Sequence, residues 1–292
     1  MDQAERLRSL VNQQRNIPAE ERTSNMRVIA ITSGKGGVGK SNFSLNLSIY
    51  LARADKRVVI IDADFGLANV EVLLGVSPRF SFREVLAGEA SVADALTTGP
   101  EGIKFLSGGS GLTQLADVTE SQLNVLLESF SQLDDQTDIL VIDTGAGMSK
   151  TVTNLLRASH ETIVVTTADP TAITDAYAVI KALAEDNADL PELKIVINQV
   201  ENSKEGHEVY ERLCRVCSRF LDVVPVNLGY IPYDRHLIRA VKSQEPVAIM
   251  YPYAESSRNI ESISKKLLDV QEKPATGASN FINRWLRFMR SE

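Results

Sequence analysis

Met26-Arg27-Val28-Ile29-Ala30-Ile31-Thr32-Ser33-Gly34-Lys35-Gly36-Gly37-Val38-Gly39-Lys40-Ser41 is the stretch that decides how this chain is read. Met26 to Thr32 is short, largely apolar and β-branched, the pattern of a buried strand. Gly34 to Ser41 then fits G-x-x-x-x-G-K-[ST]. After it, Phe43, Leu45, Leu47, Ile49, Tyr50 and Leu51 fall in a segment of helix length. Strand, glycine loop and helix form the context that this pattern needs, and a chance match in a glycine-rich turn would lack it. The glycines let the backbone curl so that successive N–H groups converge on phosphate oxygens. The helix N-terminus adds the positive end of its dipole. Lys40 supplies a point charge for β- and γ-phosphates, and the Ser41 hydroxyl is a natural Mg²⁺ ligand. Gly34, Lys35, Gly36, Gly37, Val38, Gly39, Lys40, Ser41 and Asn42 are therefore the candidate nucleotide-binding residues.

Outward from this loop, apolar strand candidates recur at 57–61, 103–106, 139–142, 162–166, 194–197 and 226–231. Helix-length segments lie between them, among them 120–133, 171–185 and 205–221. Such alternation predicts an α/β fold, a single doubly wound, mostly parallel sheet with helices on both faces. Ligands then bind at the carboxyl ends of the strands, where the informative residues should follow. Asp62 and Asp64 leave the second apolar run two residues apart, and paired carboxylates are costly there unless they meet something charged. The bland reading is a solvated loop with two capping aspartates. Asp143 ends an apolar run of four residues, the Walker B arrangement that sets a carboxylate beside Mg²⁺. Gly145 and Gly147 follow and permit a mobile loop.

The second lysine of the loop, Lys35, is not required by the basic phosphate-binding pattern. The form G-K-G-G-x-G-K-[ST] resembles the deviant Walker A loop of the MinD/ParA ATPases, and the likeness extends over about residues 26–270. The family usually carries two threonines after the second lysine, where Ser41 and Asn42 stand here; it often has proline where Gly145 stands. The resemblance implies ATP and Mg²⁺ as ligands and an ATP-bound homodimer into which Lys35 reaches across to the partner's nucleotide. Lys35, Lys40 and Asp64 are the implied catalytic residues, with Asp64 orienting the attacking water. Ser41, Asp62 and Asp143 are the implied metal site, and Asn69 matches a contact to the partner or the water network. Asn198, Pro232 and Asp234 match base-recognition positions. An Asn side chain offers the donor and the acceptor that an adenine edge requires, although each of these residues could equally be a turn residue.

Composition sets the outer limits. The 292 residues suffice for one large α/β domain or two small ones, and 43% hydrophobic and 24% charged residues are ordinary globular values. A net charge of −7 argues against a dominant nucleic-acid surface, so no direct nucleic-acid binding is expected. No apolar run reaches the roughly 20 residues of a membrane span, and the charged N-terminus does not read as a signal peptide. A cytoplasmic chain is the expectation. Cys214 and Cys217 sit inside a helical segment without further metal ligands, so a structural role is the plainer reading. His160, His207 and His236 show no triad or metal spacing, and Tyr251 and Tyr253 read as packing or capping residues.

Both ends carry amphipathic helices. Residues 2–15 (DQAERLRSLVNQQR) place Ala4, Leu7 and Val11 on one face, with the polar 16–25 as a linker. This helix either packs back on the domain or docks on another protein. Residues 271–280 form a second polar linker. In 281–290, Phe281, Ile282, Trp285, Leu286, Phe288 and Met289 gather on one face and Arg284, Arg287 and Arg290 on the other. That is the interfacial membrane pattern, weighed against a terminal helix docked on its own domain. The chain thus divides into 1–25, an ATPase domain at 26–270, and a linker with an amphipathic helix at 271–292. Asp2-Gln3-Ala4-x-x-Leu7-Arg8 resembles the DQAxxLR motif of the FlhG (FleN) branch, bacterial regulators of flagellar number and placement. That resemblance implies reversible attachment to an anionic membrane at the inner face of the cell membrane. It also implies stimulation of an FlhF-like GTPase through Asp2, Gln3, Ala4, Leu7 and Arg8. Contacts with flagellar C-ring proteins or a flagellar transcription activator complete the implied partners. A MinD division-site regulator would lack the N-terminal extension, and a ParA partitioning ATPase would need a basic DNA-binding surface. A reductase like the nitrogenase iron protein would need cluster-ligating cysteines on a dimer axis. A related bacterial tyrosine kinase would need a richer tyrosine tail.

Overall fold

Strand β1 (Arg27–Thr32) is buried along its whole length, as its β-branched run requires. Val28 and Ala30 enter the core on one side of the sheet, Ile29 and Ile31 the core on the other. That alternation of side chains is the strand period. The computed structural model describes residues 26–64, 69–109, 133–134, 136–185, 190–269 and 277–290. Seven further strands join β1: β2 (Val58–Ala63), β3 (Thr97–Thr98), β4 (Lys104–Leu106), β5 (Ile139–Thr144), β6 (Glu161–Thr167), β7 (Glu192–Val200) and β8 (Val226–Pro232). They form one sheet in the order β3-β4-β2-β5-β1-β6-β7-β8. Every pairing is parallel except β3 with β4. The two-residue β3 is absent from the sequence reading, because two threonines carry no period; it closes an edge of the sheet. The helix expected over 120–133 lies outside the described residues apart from Leu133.

The helices are α1 (Lys40–Arg53), α2 (Val70–Leu74), α3 (Phe82–Leu86), α4 (Val92–Ala95), α5 (Lys150–Ala158) and α6 (Pro170–Ala184). They continue with α7 (Ser203–Leu221), α8 (Arg235–Lys242), α9 (Val247–Met250), α10 (Glu255–Asp269) and α11 (Gly277–Arg290). Helices α1 and α10 cover one face of the sheet, and α5, α6, α7 and α11 the other. The doubly wound expectation is met. From β1 the chain passes through α1 to β2 on one side, and from β5 through α5 to β6 on the other. The connections therefore diverge between β1 and β5, the place where a sheet of this kind opens a crevice at its carboxyl end.

Helix α11 departs from the picture of a free tail. Phe281, Ile282 and Trp285 are all buried in the core beside α5 and β1. The Phe281 and Trp285 rings stack with centroids 6.4 Å apart, and Arg284 donates to the Arg157 carbonyl at 2.8 Å. Phe288 packs at the margin, and of Leu286 and Met289 only the helical backbone is described. The reason is general: an amphipathic stripe demands burial but does not name the medium. Here the medium is α5 and β1. The Trp285 indole N–H is buried there without a partner among the described residues.

The amino end of the sheet holds a buried charge cluster. Arg27 and Lys194 both pair with Glu161, and Arg27 also donates to the Leu267 carbonyl at 2.9 Å. Lys194 further meets Glu192 at 3.4 Å. Beside it, His160 Nδ1 accepts the Val28 N–H at 2.9 Å. Burial, then the neighbouring Arg284, push the His160 pKa down to about 4.

Candidate nucleotide site

The loop between β1 and α1 has the shape its glycines predict. Gly39 is the N-cap of α1 at φ 87°, a left-handed conformation that suits glycine. A Cβ there would also lie 2.3 Å from Asn198 Nδ2, and one on Gly34 would lie 2.3 Å from the Asp175 backbone. The loop is thus wedged between α6 and the end of β7. Asn198 holds it directly: Nδ2 donates to the Val38 carbonyl at 2.7 Å, and Oδ1 accepts the Gln199 N–H at 2.9 Å. The predicted base-recognition asparagine is therefore also a brace of the phosphate loop.

Lys40 and Asp143 meet at the point where the connections diverge. Lys40 Nζ lies 2.8 Å from Asp143 Oδ1, with Lys40 7% and Asp143 0% exposed. Ser44 Oγ reaches the same oxygen at 3.0 Å. Asp143 Oδ2 is buried with no partner among the described residues. Asp62 lies opposite Asp143 in the β2–β5 register and is fully buried. It accepts the backbone N–H groups of Asp64, Asn69 and Val70. Burial, and secondarily the charge of Asp143, push its pKa up to about 7 despite those bonds. Asp64 accepts from Asn69 Nδ2 at 3.1 Å. Two carboxylates from adjacent strands share a dry site with one lysine, an arrangement short of one positive charge.

That deficit fits a hard cation. The donors are oxygens only: Asp143 Oδ2, Asp62 and the Ser41 hydroxyl, which lies 3.4 Å from Lys40 Nζ. Among the described residues no group of three or more His, Cys, Asp or Glu side chains could hold a metal alone. A cation here would complete its shell with phosphate and water, the habit of Mg²⁺. Asp143, Asp62 and Ser41 would hold it, and it would supply positive charge to offset that of the phosphates. A cavity of about 470 Å³ runs over the loop past Ser41, Asp64, Asn69 and Ala146. A second, about 230 Å³, continues from Gly39 and Asn42 to Asn198, Pro232 and Tyr233. Phosphates at the loop and a base at the strand ends would fill this path.

Two of the expected site residues have partners within the chain. Asp234 lines the second cavity, but its carboxylate is saturated within the chain. Oδ1 accepts from the His236 N–H at 2.8 Å, and Oδ2 from the Ser256 N–H and hydroxyl at 3.0 and 2.9 Å. Burial works to raise its pKa, and these bonds outweigh burial and hold it below the usual carboxylate range. Asp234 joins α8 to the first turn of α10. Lys35 is turned onto its own chain, 3.1 Å from Asp169 Oδ2 and 2.8 Å from the Thr171 hydroxyl. The Thr171 N–H, then Lys35, hold Asp169 down to about 2. Asp169, Thr171 and Ser44 are absent from the sequence reading. Asp169 did carry a signal, since it follows β6 much as Asp64 follows β2. The residues Asp2, Gln3, Ala4, Leu7 and Arg8 lie outside the described residues. Cys214 is half-buried and Cys217 buried, both as free thiols, and burial pushes the Cys217 thiol up to about 11.

Comparison with known proteins agrees with this geometry. Residues 29–247 match the CobQ/CobB/MinD/ParA nucleotide binding domain. The antiactivator FleN of Pseudomonas aeruginosa is 38% identical over 242 residues, 83% of this chain and 86% of FleN. The flagellum site-determining protein YlxH of Helicobacter pylori is 35% identical over 99% of both chains. The cell division ATPase MinD of Pyrococcus furiosus superposes with a TM-score of 0.67 at 25% identity, over 84% of this chain and 99% of that one. The septum site-determining MinD of Pyrococcus horikoshii, solved with Mg-ADP, shares the fold at a TM-score of 0.66 and 24% identity, over 84% and 97% of the two chains. The chain belongs to the CobQ/CobB/MinD/ParA nucleotide-binding family, as a MinD/ParA-type ATPase that resembles the FlhG (FleN) flagellar regulators.

Proposed function

We propose that this protein is an ATP-hydrolysing switch that sets flagellar number and placement. The observation that carries the reading is the buried Lys40–Asp143 pair, in which one oxygen of Asp143 has no partner among the described residues. It is a site one cation short of balance, beside a glycine loop suited to a polyphosphate. ATP with Mg²⁺ supplies both, and the flagellar role follows the names of FleN and YlxH. In this reading ATP joins two copies, and Lys35 exchanges Asp169 for the partner's nucleotide. Residues 2–8 stimulate an FlhF-like GTPase, and C-ring proteins or a flagellar transcription activator receive the output.

The tail has a role in the same cycle. Its apolar face is docked on α5 and β1, so binding to an anionic membrane requires release first. Three buried apolar side chains hold the helix down by about 1.5–3 kcal/mol each. The Trp285 N–H, without a partner among the described residues, offsets about 1–3 kcal/mol of that. A bilayer interface offers apolar burial with water at hand for that N–H. Two tails on one ATP dimer add avidity, roughly 10²-fold or more.

Size measurement and liposome sedimentation test the switch. Lys40→Ala should lose nucleotide binding, and Asp64→Ala should accumulate an ATP dimer that pellets with anionic liposomes. If wild type and Asp64→Ala both stay monomeric at saturating ATP, the dimer switch is wrong. Equal pelleting in ADP and ATP would remove the membrane step. Deleting residues 1–20 should leave the ATPase intact and end stimulation of the partner GTPase.

A further inference from the structure

We propose that Ser44 is the positioning residue that keeps Asp143 turned for the metal, an inference that rests on the nucleotide-switch reading above. Ser44 stands one helical turn after Lys40 on α1 and is 0% exposed. Residues four apart share a helix face, so both side chains look at the end of β5. Ser44 Oγ lies 3.0 Å from Asp143 Oδ1 and 3.0 Å from the Lys40 carbonyl. A hydroxyl has one proton and can donate to only one of them at a time. The carboxylate is the stronger acceptor, because it is charged and buried in low dielectric. The Lys40 carbonyl is the ordinary resting acceptor of a serine inside a helix.

The need for this donor comes from Lys40. Asp143 Oδ1 has two donors, the Lys40 ammonium at 2.8 Å and the Ser44 hydroxyl. Phosphates entering the loop compete for the ammonium. They do not compete for Ser44, which lies behind it on the dry side of the helix. Whatever Lys40 gives up, Ser44 retains, and the carboxylate keeps its rotation. Oδ1 stays occupied by the protein, and Oδ2, buried and without a partner among the described residues, stays free for a cation. Without the hydroxyl, Oδ1 and Oδ2 compete for the departing lysine and for the cation alike. Groups that orient a metal ligand in this way typically contribute 10–100-fold in metal affinity.

Equilibrium binding of a fluorescent ADP analogue to the full chain, in EDTA and across a Mg²⁺ titration, tests the inference. Mn²⁺ binding to the ADP-loaded chain by electron paramagnetic resonance gives a second readout that needs no turnover. Ser44→Ala should bind the analogue in EDTA within about twofold of wild type, since the loop and Lys40 are unchanged. The Mg²⁺ concentration for half-saturation should rise about tenfold. Ser44→Thr keeps the hydroxyl and should restore the wild-type value. Should Ser44→Ala fail to fold, Ser44→Cys substitutes a near-isosteric, weaker donor, and the same rise is expected. An unchanged Mg²⁺ midpoint in the folded variant would overturn the inference. So would equal weakening in EDTA and Mg²⁺, which would mean loop packing alone. Wild type failing to bind the analogue at any Mg²⁺ concentration would instead bring down the switch reading, and the inference with it.

Discussion

The two ends of the sheet both bury charge, and they bury it differently. At the amino end, Glu161 is matched by Arg27 and Lys194, and Arg27 spends a further bond on the Leu267 carbonyl. At the carboxyl end, Asp62 and Asp143 face each other across β2 and β5 with Lys40 between them and the loop, and one oxygen of Asp143 has no partner among the described residues. The first cluster is complete and the second is not. Burying charge without a full set of partners is expensive. A fold that keeps such a site at its topological switch point holds it for something that arrives. The comparison separates a charge cluster that maintains the fold from one that awaits a ligand, with no appeal to exposure, since both are dry.

The sharpest way to break this distinction is at Glu161. Glu161→Ala leaves Arg27 and Lys194 buried together with Glu192, 3.4 Å from Lys194, as the remaining counter-charge of the cluster, and should cost about 3–5 kcal/mol of unfolding free energy. Urea unfolding would show it, and a loss below about 1 kcal/mol would mean that the cluster is not structural. The next effect is in pH. The folded His160 pKa of about 4 lies below the ordinary 6.5. Between those values the unfolded chain binds the extra proton, so stability rises with pH there and is lost on acidification. The loss should reach about 2 kcal/mol by pH 5. His160→Asn, which keeps an acceptor for the Val28 N–H, should flatten the slope between pH 5 and 7; an unchanged slope would assign it to other groups.

Smaller effects are expected at the incomplete end. Asp62→Asn loses part of the acceptor set for Asn69 and Val70 but removes a like charge beside Asp143. At pH 8 its stability should therefore lie within about 1 kcal/mol of wild type. A loss as large as that of Glu161→Ala would show that the two ends are built alike. Lys35→Ala should change stability least, by roughly 0–1 kcal/mol, because both partners of its pair with Asp169 are about half exposed. A larger loss would make Lys35 a structural residue instead of a mobile one.

Much of the site was legible in the sequence because its residues leave buried strands. An aspartate at the end of an apolar run is costly unless it meets something charged, and Asp62 and Asp143 were singled out that way; Lys40 was singled out by the G-x-x-x-x-G-K-[ST] pattern. Asn198 was found by its place after β7, but its bond to the Val38 carbonyl joins residues 160 positions apart, and nothing local reports such a contact. Asp234 was singled out by a place that capping and base recognition both favour, and its bonds to His236 and Ser256 are legible only in the structure. Ser44 was silent: a serine in a helix draws no notice until the carboxylate behind it is placed. The docking of α11 was weighed and set second, since helical periodicity tells how wide an apolar stripe is and not what lies against it.

Trp285 has a practical consequence. It is the single tryptophan of the chain, and its indole is 2% exposed beneath α11. The intrinsic tryptophan fluorescence of the protein therefore comes from one ring, on the helix proposed above to release. While α11 is docked, the emission belongs to a dry, apolar surround. Were the helix to lift into water, as proposed above, the emission would shift to the red, and a bilayer would return it toward the blue with the ring open to quenchers dissolved in lipid. The molecule carries its own optical gauge of tail position, readable without a label in stopped flow as nucleotide and membrane are added in either order.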